Sequence, residues 1–376
     1  MPLDPFFAER LRVHRRYLIG QLVSAIRGRL DRWWGRLRRV EPAPAPARTA
    51  TRAPAGSPSA RARARHRRAA LAWDRKELET VGTPGPGIRI EEHEVPVPGR
   101  PAVRLRVHYP YPEGVARPPA PPLPAWLAFF GGAFRIGGID YPTTDAANRR
   151  RTLDAGVVVV AVAYSLAPEH RFPTQIEQAA AALSWLHEHA AELGIDPDRI
   201  GVMGTSAGAS IAASLTLVAR DRLRIPIRLQ VLEVPVLDLT GRHLDFRASL
   251  ALGIPTLIAL RELRSVARTY LPRRQDARNP LASPMRAATL QGLPDATILT
   301  AEYDPLRGDG RAYAARLREA GVAASAVQYL GVTHDAAIFT GVLPAAGRWH
   351  RDVVAALARL HEPSEAEAVQ SRGESR

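Results

Sequence analysis

The sequence predicts an α/β fold with a mostly parallel central sheet and helices on both faces. Three observations predict it. Strand-like apolar runs alternate with helix-like segments through most of the chain, which implies βαβ units. Val157 to Ala163 is an unbroken apolar run, as expected of a parallel strand buried on both faces. Finally, Ser206, Asp304 and His334 each follow a strand pattern, at the edge where sites collect in open α/β sheets.

The elements follow in chain order. Residues 1–40 read as a basic leader, helical over 6–40. There Leu11, Leu18, Leu22, Ile26, Leu30, Trp33 and Leu37 recur at helical spacing. Arg15 and Arg29 fall on the same face, and Gly20, Gly28 and Gly35 weaken the helix. Residues 41–68 read as a linker, Pro- and Ala-rich at first and then a solvated basic run from Arg61 to Arg68. The folded body is expected over 69–362. Ile88–Val97 and Val103–Tyr109 alternate like early strands, and Trp126–Phe130 is a strand that runs into Gly131-Gly132-Ala133-Phe134. Gln175–Leu193 reads as one helix ended near Gly194. Arg199–Met203 is a strand and Ala209–Arg220 a helix, followed by a strand at Leu229–Val234. Residues 241–272 carry apolar helical patterns inserted after that strand, which suits a cap. Ala296–Ala301 is a strand, Ala312–Ala320 a helix closed by Gly321, and Trp349–Leu360 the last helix. Residues 363–376 are polar, lack periodicity and are expected to be disordered.

Composition narrows the function classes. The 376 residues include no cysteine, which excludes disulfides, a thiol nucleophile and Cys-based zinc sites. Of the 52 basic residues only Lys76 is a lysine. The net charge of +15 is concentrated in the first 70 residues, where 17 arginines face four acids. The body is nearly neutral, so the charge describes a leader and not a basic fold. No nucleic-acid recognition fold accompanies the arginines, and no specific nucleic-acid partner is expected. No run approaches the ~18–20 apolar residues of a membrane span. The expected location is cytoplasmic. Peripheral membrane contact through residues 6–40, with Trp33-Trp34 on a cationic helix, and export through Arg15-Arg16 are the alternatives. Oligomeric state is not legible.

Residues 204–208 read Gly-Thr-Ser-Ala-Gly between a strand and a helix. This is the nucleophile-elbow pattern, in which small residues let strand and helix close around a sharply turned serine. The required chain order, serine then acid then histidine, is met by Ser206, Asp304 and His334. Each has a bland alternative: a plain strand–helix turn for Ser206, a helix N-cap for Asp304, a surface-loop histidine for His334. Asp309 is the competing carboxylate and is expected to cap the helix at Gly310. Glu169-His170 reads as a loop anchor.

Together these residues resemble the hormone-sensitive-lipase-like group of α/β-hydrolase esterases, over about 124–340. The likeness rests on Ala163-Tyr164-Ser165-Leu166-Ala167-Pro168-Glu169-His170-Arg171-Phe172-Pro173, Gly204-Thr205-Ser206-Ala207-Gly208, Asn279-Pro280-Leu281-Ala282-Ser283-Pro284, Asp304-Pro305-Leu306-Arg307 and His334. The resemblance implies an α/β-hydrolase fold and a helical cap built from the N-terminal segment and the 241–272 insertion. It implies carboxylic-ester hydrolysis through a Ser206–Asp304–His334 triad and an acyl-enzyme, on short- to medium-chain acyl esters, with no metal or organic cofactor. A ligand-binding protein on the same scaffold is the alternative. One block departs: the family usually carries His-Gly-Gly-Gly where this chain has Phe130-Gly131-Gly132-Ala133. The oxyanion hole would then be this Gly131-Gly132-Ala133 loop, with N–H groups of Gly132 and Ala133, and Ala207 after the nucleophile.

Overall fold

The structure is a computed structural model that describes residues 2–12, 58–115 and 121–362. The chain divides into two units, Met1–His66 and Arg67–Arg376. In the first, residues 5–12 are helical. The readings made for residues 13–57 and 363–376 lie outside the described residues, including most of the leader and its proposed membrane contact.

One expectation is corrected. Residues 58–68 are helix and not linker: they open helix α1, Pro58–Val81. Pro58 stands at the first position, where no N–H is needed. The following Ser59-Ala60-Arg61-Ala62-Arg63-Ala64-Arg65 is rich in Ala and Arg, both strong helix formers. A run of arginines can solvate its charges from a helix surface as well as from a coil.

The body is built on an eight-stranded sheet in the order β1-β2-β4-β3-β5-β6-β7-β8. The strands are β1 Ile88–Val97, β2 Arg100–Pro112, β3 Leu123–Phe129, β4 Val158–Ala163, β5 Ile195–Thr205, β6 Leu229–Glu233, β7 Asp295–Ala301 and β8 Ala324–Tyr329. β2 runs antiparallel to β1 and to β4, and all other pairings are parallel. The uninterrupted valine run becomes β4, fully buried over Val158–Val162 and set between β2 and β3. That position explains its composition, since both of its faces are covered.

Helices cover the sheet in two layers. Helix α2 is Pro142–Ala155 and helix α3 is Thr174–Glu188, followed by the short α4 at Ala190–Leu193. The single helix expected over 175–193 is thus interrupted at His189, and Gly194 ends it in a left-handed conformation. Helix α5, Ala207–Val218, is buried on every side and packs against α3. The insertion forms α6, Phe246–Ala251, and α7, Thr256–Tyr270. Helix α8 is Arg307–Glu319, and α9, Pro344–Ala358, packs against α2. Leu105, Val107, Leu127, Val160, Val202 and Ile211 are fully buried in one continuous core. Among the described residues no helix is long and apolar enough to cross a membrane.

Candidate active site

The site begins at the junction of β5 and α5. Ser206 has φ 56° and ψ −114°, a conformation that L residues rarely adopt. Its N–H donates to the Glu233 carbonyl on β6 at 2.8 Å. The flanking glycines are sterically required. A Cβ at Gly204 would lie 2.6 Å from the Ala209 nitrogen. A Cβ at Gly208 would lie 2.5 Å from the Phe129 carbonyl carbon and closer still to its oxygen. Strand and helix therefore meet backbone to backbone, and the serine is held at the sheet edge.

Asp304 follows β7 and His334 follows β8, as the strand patterns imply. Asp304 is 2% exposed. Its Oδ1 accepts the Leu306 N–H at 2.9 Å, and its Oδ2 lies 2.7 Å from His334 Nδ1. His334 Nε2 lies 3.1 Å from Ser206 Oγ. With the carboxylate accepting from Nδ1–H, Nε2 carries the lone pair that faces the serine hydroxyl. The imidazole retains about a third of its exposure (32%), so water reaches it. Burial disfavours the imidazolium, but the charge and hydrogen bond of Asp304 outweigh it, with Asp335 adding, and the His334 pKa is pushed up to about 9.

Asp309 does not cap a helix, in correction of the sequence reading. Helix α8 starts at Arg307, which places Asp309 inside its first turn and fully buried. Its Oδ2 accepts the N–H groups of Leu237 at 2.7 Å and Asp238 at 3.0 Å. Burial, with the nearby Asp238 and Asp304 charges, pushes it up to about 7. It ties the segment after β6 to α8, and the histidine's partner is Asp304.

The loop after β3 lies against the elbow. A Cβ at Gly131 would be 3.5 Å from the Ser206 Cβ. Gly132 has φ 122° and its carbonyl accepts from Arg135 at 2.9 Å and Ile136 at 3.1 Å, which curls the loop. Ala133 and Phe134 both adopt positive φ, 53° and 60°. The N–H groups of Gly132, Ala133 and Ala207 make no hydrogen bond among the described residues.

This loop is braced without an imidazole. Phe130 stacks on Tyr164 with centroids 4.0 Å apart, and the Tyr164 hydroxyl donates to the Phe130 carbonyl at 2.7 Å. Phe134 is fully buried and stacks on Tyr270 of α7 at 3.8 Å. The Arg135 guanidinium donates to Glu262 at 2.5 Å and Ser265 at 3.2 Å, both on α7. Arg67 of α1 donates to the Arg135 carbonyl at 2.9 Å and to Glu169 at 2.6 Å, which gives Glu169 its anchoring role. Tyr164 lies inside one of the family-like blocks, but its sequence context gives it no role. Nothing in the sequence marks Arg67 or Arg135, whose partners are remote in the chain.

A pocket of about 380 Å³ opens at Ser206 and His334, with Trp73, Leu78, Ile136 and Ile338 among its walls. Trp73 and Leu78 come from α1, so this helix supplies part of the wall. Among the described residues no cluster of three or more His, Asp or Glu side chains is arranged to hold a metal ion.

Residues 126–338 match the family described as the alpha/beta hydrolase fold. The chain belongs to the hormone-sensitive-lipase-like family of α/β-hydrolases. It is an ester hydrolase. A carboxylesterase of Mycobacterium tuberculosis is 36% identical over 294 residues, 76% of this chain and 89% of that relative. An arylesterase of Saccharolobus solfataricus is 38% identical over 210 residues, 55% of this chain and 66% of that relative. Among solved structures, a thermostable carboxylesterase from a metagenomic library superposes with a TM-score of 0.71 at 34% identity, covering 80% of this chain and 98% of the other.

Proposed function

We propose that this hydrolase cleaves short- to medium-chain carboxylic esters through an acyl-enzyme on Ser206. The observation that carries the reading is the continuous hydrogen-bonded line from Asp304 through His334 to Ser206 Oγ. Neutral His334 takes the Ser206 proton as Oγ attacks the ester carbonyl. Asp304 holds the reactive tautomer and stabilises the imidazolium. The developing oxyanion accepts from the backbone at Gly132, Ala133 and Ala207. The imidazolium then protonates the leaving alkoxide, and the neutral ring activates the water that releases the acid. Every proton in this scheme is moved by the chain's own side chains. A pocket of about 380 Å³ suits a modest acyl group and not a large lipid.

Hydrolysis of p-nitrophenyl esters from acetate to laurate, by the wild type and Ser206→Ala side by side, tests this. Turnover that needs Ser206 and peaks at short to medium chains is expected. Equal turnover by the two proteins, or none by a folded wild type, overturns the reading.

A further inference from the structure

The outer face of α7 carries charge and apolar surface that the mechanism above does not use. Leu257, Arg261, Arg264 and Arg268 follow one another at spacings of four, three and four residues, so they share one helix face. Val266 and Tyr270 lie on the opposite face and are buried, which turns the Leu257 face to solvent. Leu257 is 71% exposed, Ile258 beside it 57%, and Leu250 on the adjoining α6 59%. A single exposed leucine is ordinary, but three large apolar side chains grouped beside a row of arginines mark a surface with a partner.

The positive charge continues past the helix. A groove of about 1010 Å³ is lined by Arg171, Arg264, Arg268, Arg273, Arg274 and Arg278, and none of its lining residues is acidic. Between positions 256 and 278 the only acids are Glu262 and Asp276, and both are already committed. Glu262 pairs with Arg135, and Asp276 pairs with Arg273 at 3.1 Å. Among the described residues Arg261, Arg264, Arg268, Arg274 and Arg278 form no ion pair. Arg264 and Arg268 stand one turn apart, where like charges repel. The face is therefore an uncompensated cationic strip that attracts negative charge from outside the chain.

We propose that the outer face of α7, with the arginine groove beside it, docks on an anionic lipid bilayer. The partner must offer two things at once: negative charge for the arginines and hydrocarbon for Leu250, Leu257 and Ile258. An acidic polypeptide or a nucleic acid supplies the first and leaves the apolar side chains in water. The headgroup boundary of an anionic bilayer supplies both, in adjacent layers. The helix lies in that boundary with its apolar end among the acyl chains. The arginine stems follow the apolar surface while their guanidinium groups reach the lipid phosphates. The opposite side of α7 holds the loop after β3, through the Arg135–Ser265 hydrogen bond and the Phe134–Tyr270 stack. Docking therefore sets the hydrolase on the membrane by its insertion. The proposal is independent of the chemistry at Ser206 and of the basic leader.

The chain has no cysteine, so a Leu257→Cys variant of the full chain takes a single thiol-reactive NBD label. A Leu153→Cys variant, labelled likewise, is the control. Leu153 is 45% exposed at the end of α2, just before β4 begins, and so lies at the sheet edge opposite the site. Each protein is mixed with vesicles of phosphatidylglycerol or of phosphatidylcholine. We expect the Leu257→Cys label to brighten and shift blue with phosphatidylglycerol only, the Leu153→Cys label to stay unchanged, and added NaCl to weaken the response. Adding Arg264→Gln and Arg268→Gln raises the lipid needed for half the response about tenfold or more. Both arginines are exposed, and circular dichroism checks that the fold is kept. Vesicle binding that leaves the Leu257→Cys label unmoved, as when the leader alone binds, overturns the proposal. An equal response to phosphatidylcholine, or one indifferent to the two arginines, also overturns it. A shift of the same size with soluble poly-L-aspartate refutes the bilayer and assigns the face to an acidic polypeptide.

Discussion

Tyr164→Phe isolates the brace beneath the proposed oxyanion loop. Tyr164 is 2% exposed, and its ring stacks on Phe130. Phenylalanine keeps that stack, so the variant deletes a single hydroxyl. The Phe130 carbonyl, in a residue 6% exposed, loses its 2.7 Å donor, and no other hydrogen bond to it is found among the described residues. An orphaned buried acceptor costs roughly 1–3 kcal/mol, measurable by urea unfolding. The carbonyl can recover part of this by turning toward water, and that turn moves Gly131, Gly132 and Ala133. Complete loss of one oxyanion donor is worth about 2.7–4 kcal/mol. Displacement worth roughly half of that lowers kcat about ten- to thirtyfold, at about 1.4 kcal/mol per decade. KM should hardly change, because the donors act on charge that exists only in the transition state. The assay is kcat and KM on p-nitrophenyl butyrate. A kcat within about twofold of wild type in a protein that has lost stability would refute the reasoning: the hydroxyl would then serve the fold and not the loop.

Other perturbations follow from the same geometry. In the proposed mechanism His334 must be neutral to accept the serine proton, so kcat/KM should rise with pH. Asp304 lifts the folded pKa from 6.5 to about 9 against the effect of burial, so the acid limb lies above the ordinary histidine range. Asp304→Asn should move that limb to lower pH and reduce kcat by roughly 10³–10⁴-fold; an unmoved limb contradicts the assignment. The same shift stabilises the fold fully below the unfolded pKa of about 6.5, and that contribution is lost as pH rises through about 9. The wild-type Tm should therefore fall across that window more than that of Asp304→Asn. Gly208→Ala places a methyl against the backbone of Phe129 and Phe130. Overpacking of this kind costs about 1–3 kcal/mol or more, so soluble folded protein should be reduced, and a wild-type Tm with full activity would show the contact to be relaxed.

The fold and the chain-order triad are legible in the sequence because both are written locally. The valine run of β4 has no reading other than a doubly covered strand. Ser206, Asp304 and His334 each stand just past a strand pattern, and the structure brings all three together. Two kinds of feature mislead. At 58–68 the charge suggests a solvated coil, although alanine and arginine are good helix formers and α1 continues into apolar positions such as Leu71 and Leu78. The local neighbours of Asp309 suggest a cap, yet its partners Leu237 and Asp238 lie about seventy residues away. The bracing of the loop is invisible for the same reason. Phe130 looks like a lost imidazole, and only three-dimensional contact shows Tyr164 beneath it and Arg67 and Glu262 around its neighbours. Pairings that join remote segments leave no periodicity to read.

Five non-glycine residues among those described have positive φ: Ala133, Phe134, Ser206, Arg224 and Val234. Only Arg224 lies away from the site. Each such residue costs of the order of 1–3 kcal/mol relative to a relaxed backbone. Ser206 carries this burden at the one position where chemistry forbids glycine. Ser206→Gly should therefore be inert and yet unfold at a higher temperature than the wild type. Drift toward the more stable protein leads through its inactivation, and only the demand for turnover keeps the serine in place.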